Sequence, residues 1–560
     1  MKLEISSAWE ELSKTKTWPE ILAEVAQAFP DREALVFRMN GTRISFTYRE
    51  YANKVDELAR GLYAIGVRKG DHVALWMTNR PEWCFARLAI YKLGAIMIPL
   101  HTRYRLEELQ FVLKQSDTQY LLLEDQFFDR IESLNMLNQL IPEIKCSATG
   151  KVDAGEFPVL TTVVCLSNKG EKYPGTYSYD EVLQLGSKIS NEKIEIKHYP
   201  ADTIHIIYTS GTTGFPKGVE TPSSCNVAYC AVSKELYHLT GKSKYLNVMP
   251  FFGNIGLWNH TLSLLAGCTL ITDAPVYDPV DVLATIEAEG ITHAIFVPTI
   301  LLDILNHPDY DKYNLKSLQR ITCSGAPVPQ NLIRMIKEKL GLYLMNIYGL
   351  SEASGLSTWV PYGDTPEHVE KTVGLAMPHC MVGILNQNTG KELPPGVEGE
   401  ICTREVFPGS QHMKGYYKRP ELTREVIRDG WLHSGDLGKM DAEGYIYLTG
   451  RLKEMFTVGG FNVSPAEVEN FLLKHPKVAN VAVVGVPEPR LGEVGAAFIK
   501  LKTGQNCSEE EITTYCKDKV ANIKVPRYVF FVNEFPLNPQ GKVQKFKLRE
   551  MACEKLGYTG

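Results

Sequence analysis

One stretch of the chain holds the side chains best suited to chemistry. Residues 204–219 begin as an apolar, β-branched run and end in a loop of glycines, hydroxyls and one lysine, Lys217. The run predicts a buried strand, which glycine and proline end. Glycines let a backbone approach phosphate closely, while amides, hydroxyls and an ammonium supply hydrogen bonds and charge. The spacing Gly211-x-x-Gly214-x-x-Lys217 differs from the Walker pattern, which ends in Lys-Ser/Thr. A flexible surface loop is the alternative.

Two later segments also run from a predicted strand into a turn. The first, residues 322–327, ends in Gly325-Ala326-Pro327, and the second, residues 344–352, reaches glycine and then the carboxylate of Glu352. In open α/β sheets, ligands bind beyond the carboxyl ends of the strands. We therefore expect these two ends and the lysine loop to line one crevice. An isolated Glu after a turn is otherwise usually only solvated.

Helices and strands alternate through the first two hundred residues. Helical periodicity predicts helices over 50–66 and 81–93, and apolar runs predict strands over 71–77, 95–100 and 120–123. This alternation predicts an α/β fold, with a mostly parallel sheet covered by helices. Residues 145–200 are less regular and are expected to form a connecting lobe.

The order of these segments resembles the AMP-forming adenylating enzymes: acyl-CoA synthetases, firefly luciferase and the adenylation domains of peptide synthetases. The lysine loop matches the family's phosphate loop almost letter for letter. Residues 348–352 resemble its Tyr-Gly-x-Thr-Glu motif, with Ser351 keeping the hydroxyl of the usual Thr. Other segments agree in the family's order: 399–401, 415–423, 431–436, 450–454 and 536–542. The resemblance thus covers nearly the whole chain.

The resemblance implies roles for individual residues. Lys542, Glu352 and Lys217 would be catalytic, and Glu352 with Thr209 would hold Mg²⁺. Tyr348 would stack on adenine, and Asp436 would bind the ribose hydroxyls, with Arg451 near the ribose. His433 is expected to have a structural or supporting role rather than to act as a base, because nothing nearby pairs with it. The implied nucleotide-binding residues are Thr209, Ser210, Gly211, Thr212, Thr213, Gly214, Lys217, Gly325, Ala326, Pro327, Asn346, Tyr348, Gly349, Ser351, Asp436, Arg451 and Lys542.

The segment 450–454 resembles the family's hinge, with Lys453 as its pivot. It divides the chain into an adenylate-forming domain of helix-covered mixed sheets, residues 1–450, and a small mobile α+β domain, residues 451–560. As the resemblance implies, the small domain turns about Lys453 between the two steps. Gly459 and Gly460 would then reach the path of coenzyme A.

The acyl pocket is predicted from a segment in which this sequence departs from the pattern of its relatives. Relatives commonly have Pro-x-Phe-His-x-x-Gly where this chain has residues 250–256, with Gly253 in place of histidine. On one interpretation Phe252, Gly253 and Asn254 line a pocket with extra room beside the acyl carboxylate. Compact, broad acids would then be preferred: aromatic, alicyclic, or of short to medium length. On the alternative interpretation, Gly253 only permits a turn, and Trp258 or another side chain fills the space.

Composition sets outer limits. A chain of 560 residues needs more than one domain, and a net charge of −5 with a pI near 6.3 argues against nucleic acid as a partner. The amino terminus lacks the apolar core of a signal peptide, and the most apolar segment, 81–100, is interrupted by charges. Twelve cysteines without a Cys-x-x-Cys pair suit reduced thiols, so we expect a cytoplasmic protein without a membrane span; a homodimer stays open.

The predicted function is a carboxylic acid–CoA ligase. It would use ATP and Mg²⁺ to make acyl-AMP and pyrophosphate, and then pass the acyl group to coenzyme A and release AMP. Alternatives are an adenylating enzyme with another acceptor, of the luciferase type or serving a carrier protein, and a non-catalytic nucleotide-binding protein.

Overall fold

A computed structural model describes residues 8–39, 41–128, 131–209, 216–273, 276–325, 328, 330–458, 461–517, 519–520, 522–537 and 542–558. The chain forms two compact units. The first comprises residues 1–382 and 403–432, and the second comprises residues 383–402 and 433–560. The predicted domain boundary after residue 450 is placed at a hinge about which the small domain would turn. That boundary stays a prediction.

The helices in the described residues are α1 (Ala8–Thr15), α2 (Trp18–Ala28), α3 (Tyr48–Ala64), α4 (Pro81–Lys92), α5 (Leu106–Gln115), α6 (Ser133–Leu140), α7 (Tyr179–Gly186), α8 (Ser223–Leu236), α9 (Asn254–Ala266), α10 (Pro279–Glu289), α11 (Pro298–Leu305), α12 (Gln330–Leu340), α13 (Pro366–Lys371), α14 (Pro420–Val426), α15 (Pro465–Leu472), α16 (Glu509–Cys516) and α17 (Lys545–Leu556). Short 3₁₀ turns include Ser351–Ala353 and Leu452–Glu454.

The strands are β1 (Glu33–Met39), β2 (Thr42–Thr47), β3 (His72–Trp76), β4 (Ile96–Pro99), β5 (Tyr120–Glu124), β6 (Thr162–Leu166), β7 (Tyr177–Ser178), β8 (Thr203–Thr209), β9 (Lys217–Pro222), β10 (Lys244–Asn247), β11 (Thr269–Thr272), β12 (His293–Phe296), β13 (Arg320–Cys323), β14 (Leu344–Leu350), β15 (Gly355–Trp359), β16 (Leu375–Ala376), β17 (Cys380–Leu385), β18 (Gly399–Glu405), β19 (Gly415–Tyr416), β20 (Ile427–Arg428), β21 (Trp431–Met440), β22 (Ile446–Arg451), β23 (Phe456–Val458), β24 (Phe461–Val463), β25 (Val478–Glu488), β26 (Gly492–Leu501) and β27 (Tyr528–Phe531).

Two large sheets organise the first unit. One has the order β16-β15-β14-β13-β12-β10-β11-β1-β2, and its pairs from β14 to β1 are parallel. The other has the order β19-β9-β8-β4-β3-β5-β6-β7, in which β8 and β9 form an antiparallel hairpin. Apolar clusters pack on both sheets, one against α5 and α6 and the other against α10 to α12. The parallel strands β3, β5, β11 and β12 are buried along their whole length, as parallel strands covered by helices are.

The second unit has its own core. Its sheet has the order β24-β23-β26-β25, with β27 parallel to β26, and α15, α16 and α17 contribute to the same apolar cluster. A five-stranded sheet of order β17-β18-β21-β20, in which β22 pairs with β21, carries residues 433–451. Helices grouped beside a mainly antiparallel sheet confirm a small α+β domain.

Most predicted elements are confirmed, and one prediction needs correction. Residues 145–200 are not only a connecting lobe, because β6 and β7 extend a large sheet and α7 follows them. Asp436 lies within β21, and Gly435 before it has φ +74°. No helix in the described ranges is long and apolar enough to cross a membrane.

Candidate active site

The lysine loop is closed by a hairpin. Thr209 at the end of β8 and Lys217 at the start of β9 are register partners, and the Thr209 hydroxyl donates to the Lys217 carbonyl at 3.5 Å. Their side chains are half-buried. The predicted phosphate-binding residues Ser210, Gly211, Thr212, Thr213 and Gly214 lie outside the described residues. The hairpin therefore fixes both ends of the loop on one sheet.

The Tyr416 side chain contacts both Glu352 and Lys217. The Tyr416 hydroxyl donates to Glu352 Oε1 at 2.8 Å, and Lys217 Nζ lies 4.9 Å from the centroid of the Tyr416 ring. Burial, reinforced by the carboxylate of Glu352, raises the pKa of Tyr416 well above its ordinary value. The hydroxyl therefore keeps its proton at neutral pH and remains a donor. One tyrosine thus brings together a cation and a carboxylate that the sequence placed 135 residues apart.

The predicted adenine-side residues fall at two neighbouring strand ends. Gly325 follows β13 with φ +87°, a conformation that favours glycine, and Ala326 and Pro327 lie outside the described residues. On β14, Gly349 packs so closely that an added Cβ would lie 2.3 Å from the Gly355 carbonyl oxygen. Tyr348 is half-buried on the same strand. Two of the expected strand ends are therefore neighbours.

Asn346 and Ser351 make contacts that connect this region to its surroundings. The buried Asn346 donates from Nδ2 to the Thr372 carbonyl at 3.1 Å, so its amide holds backbone in place. Ser351, in the turn that bears Glu352, accepts a hydrogen bond from Asn254 Nδ2 at the start of α9. The predicted nucleotide side and the predicted acyl side are thus in direct contact.

The acyl-pocket residues Phe252, Gly253 and Asn254 are all half-buried. The Phe252 ring lies 4.3 Å from the ring of His101, centroid to centroid, so His101 lies beside the predicted acyl-pocket residues, which the sequence did not suggest. Gly253 has φ −88° and ψ 153°, which any residue adopts, and an added Cβ would make only an ordinary contact at 3.5 Å.

The backbone at Gly253 therefore does not require a glycine. The close approach occurs at Gly256, where a Cβ would lie 2.2 Å from the Pro250 carbonyl oxygen. Trp258 packs on Tyr229, with ring centroids 5.2 Å apart. That the space beside Gly253 is open to the acid stays a prediction.

In the second unit, Asp436 and Arg451 are brought together by pairing. They are register partners on β21 and β22, and Arg451 Nε donates to Asp436 Oδ1 at 2.8 Å. Asp436 is buried, whereas the Arg451 side chain is half exposed. The predicted ribose-side residues thus form one ion pair.

A second carboxylate holds the segment that carries Asp436. Glu400 Oε1 accepts from the Gly435 amide at 3.0 Å, and Glu400 Oε2 lies 2.7 Å from His433 Nδ1. The Ser434 hydroxyl donates to the Ile401 carbonyl and accepts from the Asp436 amide. The prediction that nothing nearby pairs with His433 is wrong, because Glu400 lies on β18, which is next to β21 in the sheet. The structural role predicted for His433 is consistent with this contact.

The remaining predicted residues lie on short segments of the second unit. Lys453 is exposed in the 3₁₀ turn Leu452–Glu454, and Gly459 and Gly460 lie outside the described residues. Lys542 is exposed and lies three residues before α17. An antiparallel bridge between Leu537 and Val543 closes the segment that includes it.

Two groups of His, Cys and Glu side chains in the described ranges have donor atoms within 4.8 Å of one another. In Glu400, Cys402 and His433, one ring nitrogen faces both Glu400 Oε2 at 2.7 Å and Cys402 Sγ at 3.4 Å, so it is hydrogen-bonded rather than directed at a cation. In His475, Cys507 and Glu511, the Lys477 ammonium lies 2.8 Å from the carboxylate and would repel a metal. We assign neither group to a metal.

Sequence reasoning missed three site residues: Tyr416, Glu400 and His101. Tyr416 and Glu400 lie in segments that the family resemblance had marked, but their contacts depend on long-range pairing. Tyr416 reaches the lysine loop because β19 pairs with β9, placing Tyr416 opposite Val219. No local pattern encodes such a pairing.

Comparison with known proteins agrees with this geometry. A family profile described as "AMP-binding enzyme" matches residues 22–417, and one described as "AMP-binding enzyme C-terminal domain" matches residues 467–542. The chain is 38% identical over 539 residues to the acyl-CoA synthetase YngI of Bacillus subtilis, covering 95% of this chain and 96% of that protein. It is 34% identical over 549 residues to the human mitochondrial medium-chain acyl-CoA ligase ACSF2, covering 96% and 87%.

Solved structures give the same answer. ATP-bound MatB from Rhodopseudomonas palustris superposes with a TM-score of 0.83 at 27% identity, covering 97% of this chain and all of that one. The o-succinylbenzoate CoA synthetase MenE of Bacillus subtilis, bound to its acyl-adenylate, has a TM-score of 0.78 at 27% identity, covering 95% and 98%. The chain therefore belongs to the AMP-forming adenylating enzymes and is an acid–CoA ligase of that family.

Proposed function

We propose that this chain activates an aromatic, alicyclic or short-to-medium-chain carboxylic acid as its acyl-adenylate and transfers the acyl group to coenzyme A. The observation that carries the proposal is the meeting of Lys217 and Glu352 on Tyr416. Transfer of a nucleotidyl group requires positioned cations more than a protein nucleophile. An ammonium and a carboxylate that contact the same tyrosine provide such positions.

In the first step a carboxylate oxygen attacks the α-phosphate of ATP, the bond to the β-phosphate breaks and pyrophosphate leaves. In the second, the sulfur of coenzyme A attacks the acyl carbon, AMP leaves and the thiol proton is released. Lys217 and Lys542 are proposed to stabilise negative charge on the phosphates. Asp436 and Arg451 are proposed to hold the ribose, and Tyr348 the adenine.

The donor set fits Mg²⁺. Glu352 and Thr209 offer only carboxylate and hydroxyl oxygens, which are the ligands that this hard cation prefers. Because Glu352 Oε1 accepts from Tyr416, the second carboxylate oxygen is the one proposed to face a metal. Bound Mg²⁺ would neutralise charge on the phosphate oxygens of ATP.

The choice of acid rests on the acyl-side residues and on the relatives. The rings of Phe252 and His101 pack together, and an added Cβ at the neighbouring Gly253 would make only an ordinary contact. Several relatives are named medium-chain acyl-CoA ligases, and one structural neighbour is named an anthranilate CoA ligase. Acetate would underfill such a pocket, at about 0.8 kcal/mol for each methylene left unburied.

The test is a substrate panel. Release of pyrophosphate and formation of thioester are measured for acetate, hexanoate, cyclohexanecarboxylate, benzoate and palmitate, each with and without coenzyme A. We expect hexanoate or a ring acid to give the highest kcat/KM, with thioester formed only when coenzyme A is present. A preference for acetate or palmitate would contradict the acid class. Acid-dependent pyrophosphate release without any thioester would favour another acceptor. The cytoplasmic location stays a prediction.

A further inference from the structure

Tyr416 lies where three separate constraints meet. Its strand, β19, is antiparallel to β9, which starts at Lys217, and Tyr416 pairs with Val219 two residues further on. The Tyr416 amide donates to the Thr423 hydroxyl at 2.9 Å, and its side chain is only 6% exposed. The position of the ring is thus fixed from the backbone as well as by packing.

The segment that carries Tyr416 also holds the backbone of Glu352. The Met413 amide donates to the Glu352 carbonyl at 2.9 Å, while the Tyr416 hydroxyl donates to the Glu352 side chain. Two hydrogen bonds from residues 413–416 therefore fix both the backbone and the carboxylate of Glu352. One oxygen of the Glu352 carboxylate is therefore already oriented before any ligand binds.

The other side of Tyr416 faces Lys217. An ammonium within about 6 Å of an aromatic centroid is attracted to the ring face, and Lys217 Nζ lies at 4.9 Å. The long lysine side chain otherwise samples many rotamers, so this contact narrows the positions of its charge. Tyr416 thus orients a carboxylate with its hydroxyl and an ammonium with its ring.

We propose that Tyr416 is a positioning residue that fixes Glu352 for Mg²⁺ and Lys217 for the phosphates of ATP. The inference rests on the proposed function, because it assumes that these two groups serve the metal and the nucleotide. It assigns separate tasks to two parts of one side chain, so the two tasks can be removed one at a time.

The first test removes only the hydroxyl. In Tyr416→Phe the ring stays beside Lys217 while Glu352 loses its donor. Loss of a group that orients a metal ligand typically costs 10- to 100-fold in metal affinity or activity. We expect the Mg²⁺ concentration for half-maximal pyrophosphate release to rise about tenfold. The KM for ATP at saturating Mg²⁺ should stay within about twofold of wild type, because the ring remains.

A binding readout accompanies the kinetics. Mn²⁺ is titrated into the enzyme together with α,β-methylene-ATP, which cannot be cleaved at the reacting bond, and bound Mn²⁺ is followed by electron paramagnetic resonance. Tyr416→Phe should weaken Mn²⁺ binding by a factor similar to that found in the Mg²⁺ titration. A residue that only packs the fold would lower the melting temperature without this change.

The second variant removes the ring as well. Tyr416→Leu should show the same Mg²⁺ defect and in addition raise the KM for ATP by about two- to fivefold, because the contact with Lys217 is lost. Tyr417→Phe is the matched control. It deletes the same atom from the neighbouring residue, whose hydroxyl donates to Asp117 Oδ2 at 2.7 Å. It should match wild type in both titrations.

The possible outcomes are distinct. Wild-type enzyme without acid-dependent pyrophosphate release would overturn the proposed function. Active wild-type enzyme with Tyr416→Phe unchanged in both the Mg²⁺ and the Mn²⁺ titrations would overturn only the role of Tyr416. If Tyr416→Phe does not fold, Thr423→Val, which removes the acceptor of the Tyr416 amide, is used instead. It should raise the half-saturating Mg²⁺ concentration about two- to fivefold, and no rise would again overturn the role.

Discussion

The two units hold their charged site residues in different ways. In the first unit Glu352 and Lys217 are tied to the buried Tyr416, and Ser351 is tied to Asn254. In the second unit Asp436 is buried and paired, but Lys453 and Lys542 are exposed on short segments between regular elements. A group within a contact network is preorganised, and one on an exposed segment can change position at little cost. From this difference we expect the first unit to provide a fixed site, and Lys453 and Lys542 of the second unit to be used in one step each.

The largest expected effect tests the second half of this comparison. Lys542→Ala should lower acid-dependent pyrophosphate release about 10²- to 10³-fold, as loss of one charge-stabilising donor does in other enzymes. Conversion of supplied acyl-adenylate to thioester should be unchanged. Both half-reactions are measured on the same preparation, with Lys547→Ala as a control that removes an exposed lysine from α17. Equal losses in the two steps would show that Lys542 is not specific to adenylation.

The next effect concerns the hinge. Proline at position 453 fixes φ. Lys453→Pro should therefore allow the conformation used for adenylation and hinder the one used for thioester formation. We expect adenylation to persist while thioester formation falls roughly 10- to 100-fold. Lys453→Ala, which keeps the backbone free, is the control for loss of the charge. If Lys453→Pro leaves both steps intact, Lys453 is not a pivot.

A smaller effect is expected at the fixed acyl side. Because Gly253 has an ordinary extended conformation, Gly253→His can be accommodated by the backbone and should occupy the room beside Phe252. Overfilling a packed site costs about 1–3 kcal/mol, so kcat/KM for the best ring acid should fall about tenfold. The KM for ATP is measured as the internal control and should hold steady. Full activity on that ring acid would remove Gly253 from the determinants of acid choice.

A prediction of another kind concerns the acid stability of the first unit. Burial lowers the pKa of His293, His379 and His412 to about 4, and all three lie in the first unit. Above about pH 6.5 these rings are neutral whether the chain is folded or not. Between pH 6.5 and 4 the unfolded chain binds protons that the folded unit excludes. Its stability therefore falls as the pH falls, by up to about 1.4 kcal/mol per pH unit for each ring.

Tryptophan fluorescence isolates this effect, because all seven tryptophans of the chain lie in the first unit. Urea unfolding followed by this signal should shift to lower urea between pH 6.5 and 5. Between pH 7 and 9 these histidines should cause no change of the urea midpoint with pH. A midpoint that is constant from pH 7 to 5 would show that the three rings are not protected from protonation.

The sequence predicted the large architecture well because its signals are local. The apolar run before Lys217 forms β8, and helical spacing correctly indicated α3 and α4. Glycines such as Gly349 mark positions where the backbone leaves no room for a side chain. Motif order alone was enough to identify the family, since each segment is contiguous.

The prediction failed where distant segments meet. Glu400 reaches His433 from another strand, and Tyr416 reaches Lys217 through the pairing of β19 with β9. Those contacts depend on sheet order, which neither periodicity nor motif spacing encodes. The role of Gly253 required the backbone angles, because a glycine in a sequence does not show whether it serves a turn or a cavity.

The most direct test of the account follows a single oxygen atom. The best acid of the panel is prepared with ¹⁸O in its carboxylate and incubated with enzyme, ATP, Mg²⁺ and coenzyme A. The masses of the products are then measured by mass spectrometry. If a carboxylate oxygen attacks the α-phosphate, one ¹⁸O per turnover must appear in AMP and none in pyrophosphate. Thioester formed together with unlabelled AMP would contradict an acyl-adenylate, and with it the central claim of how this chain works.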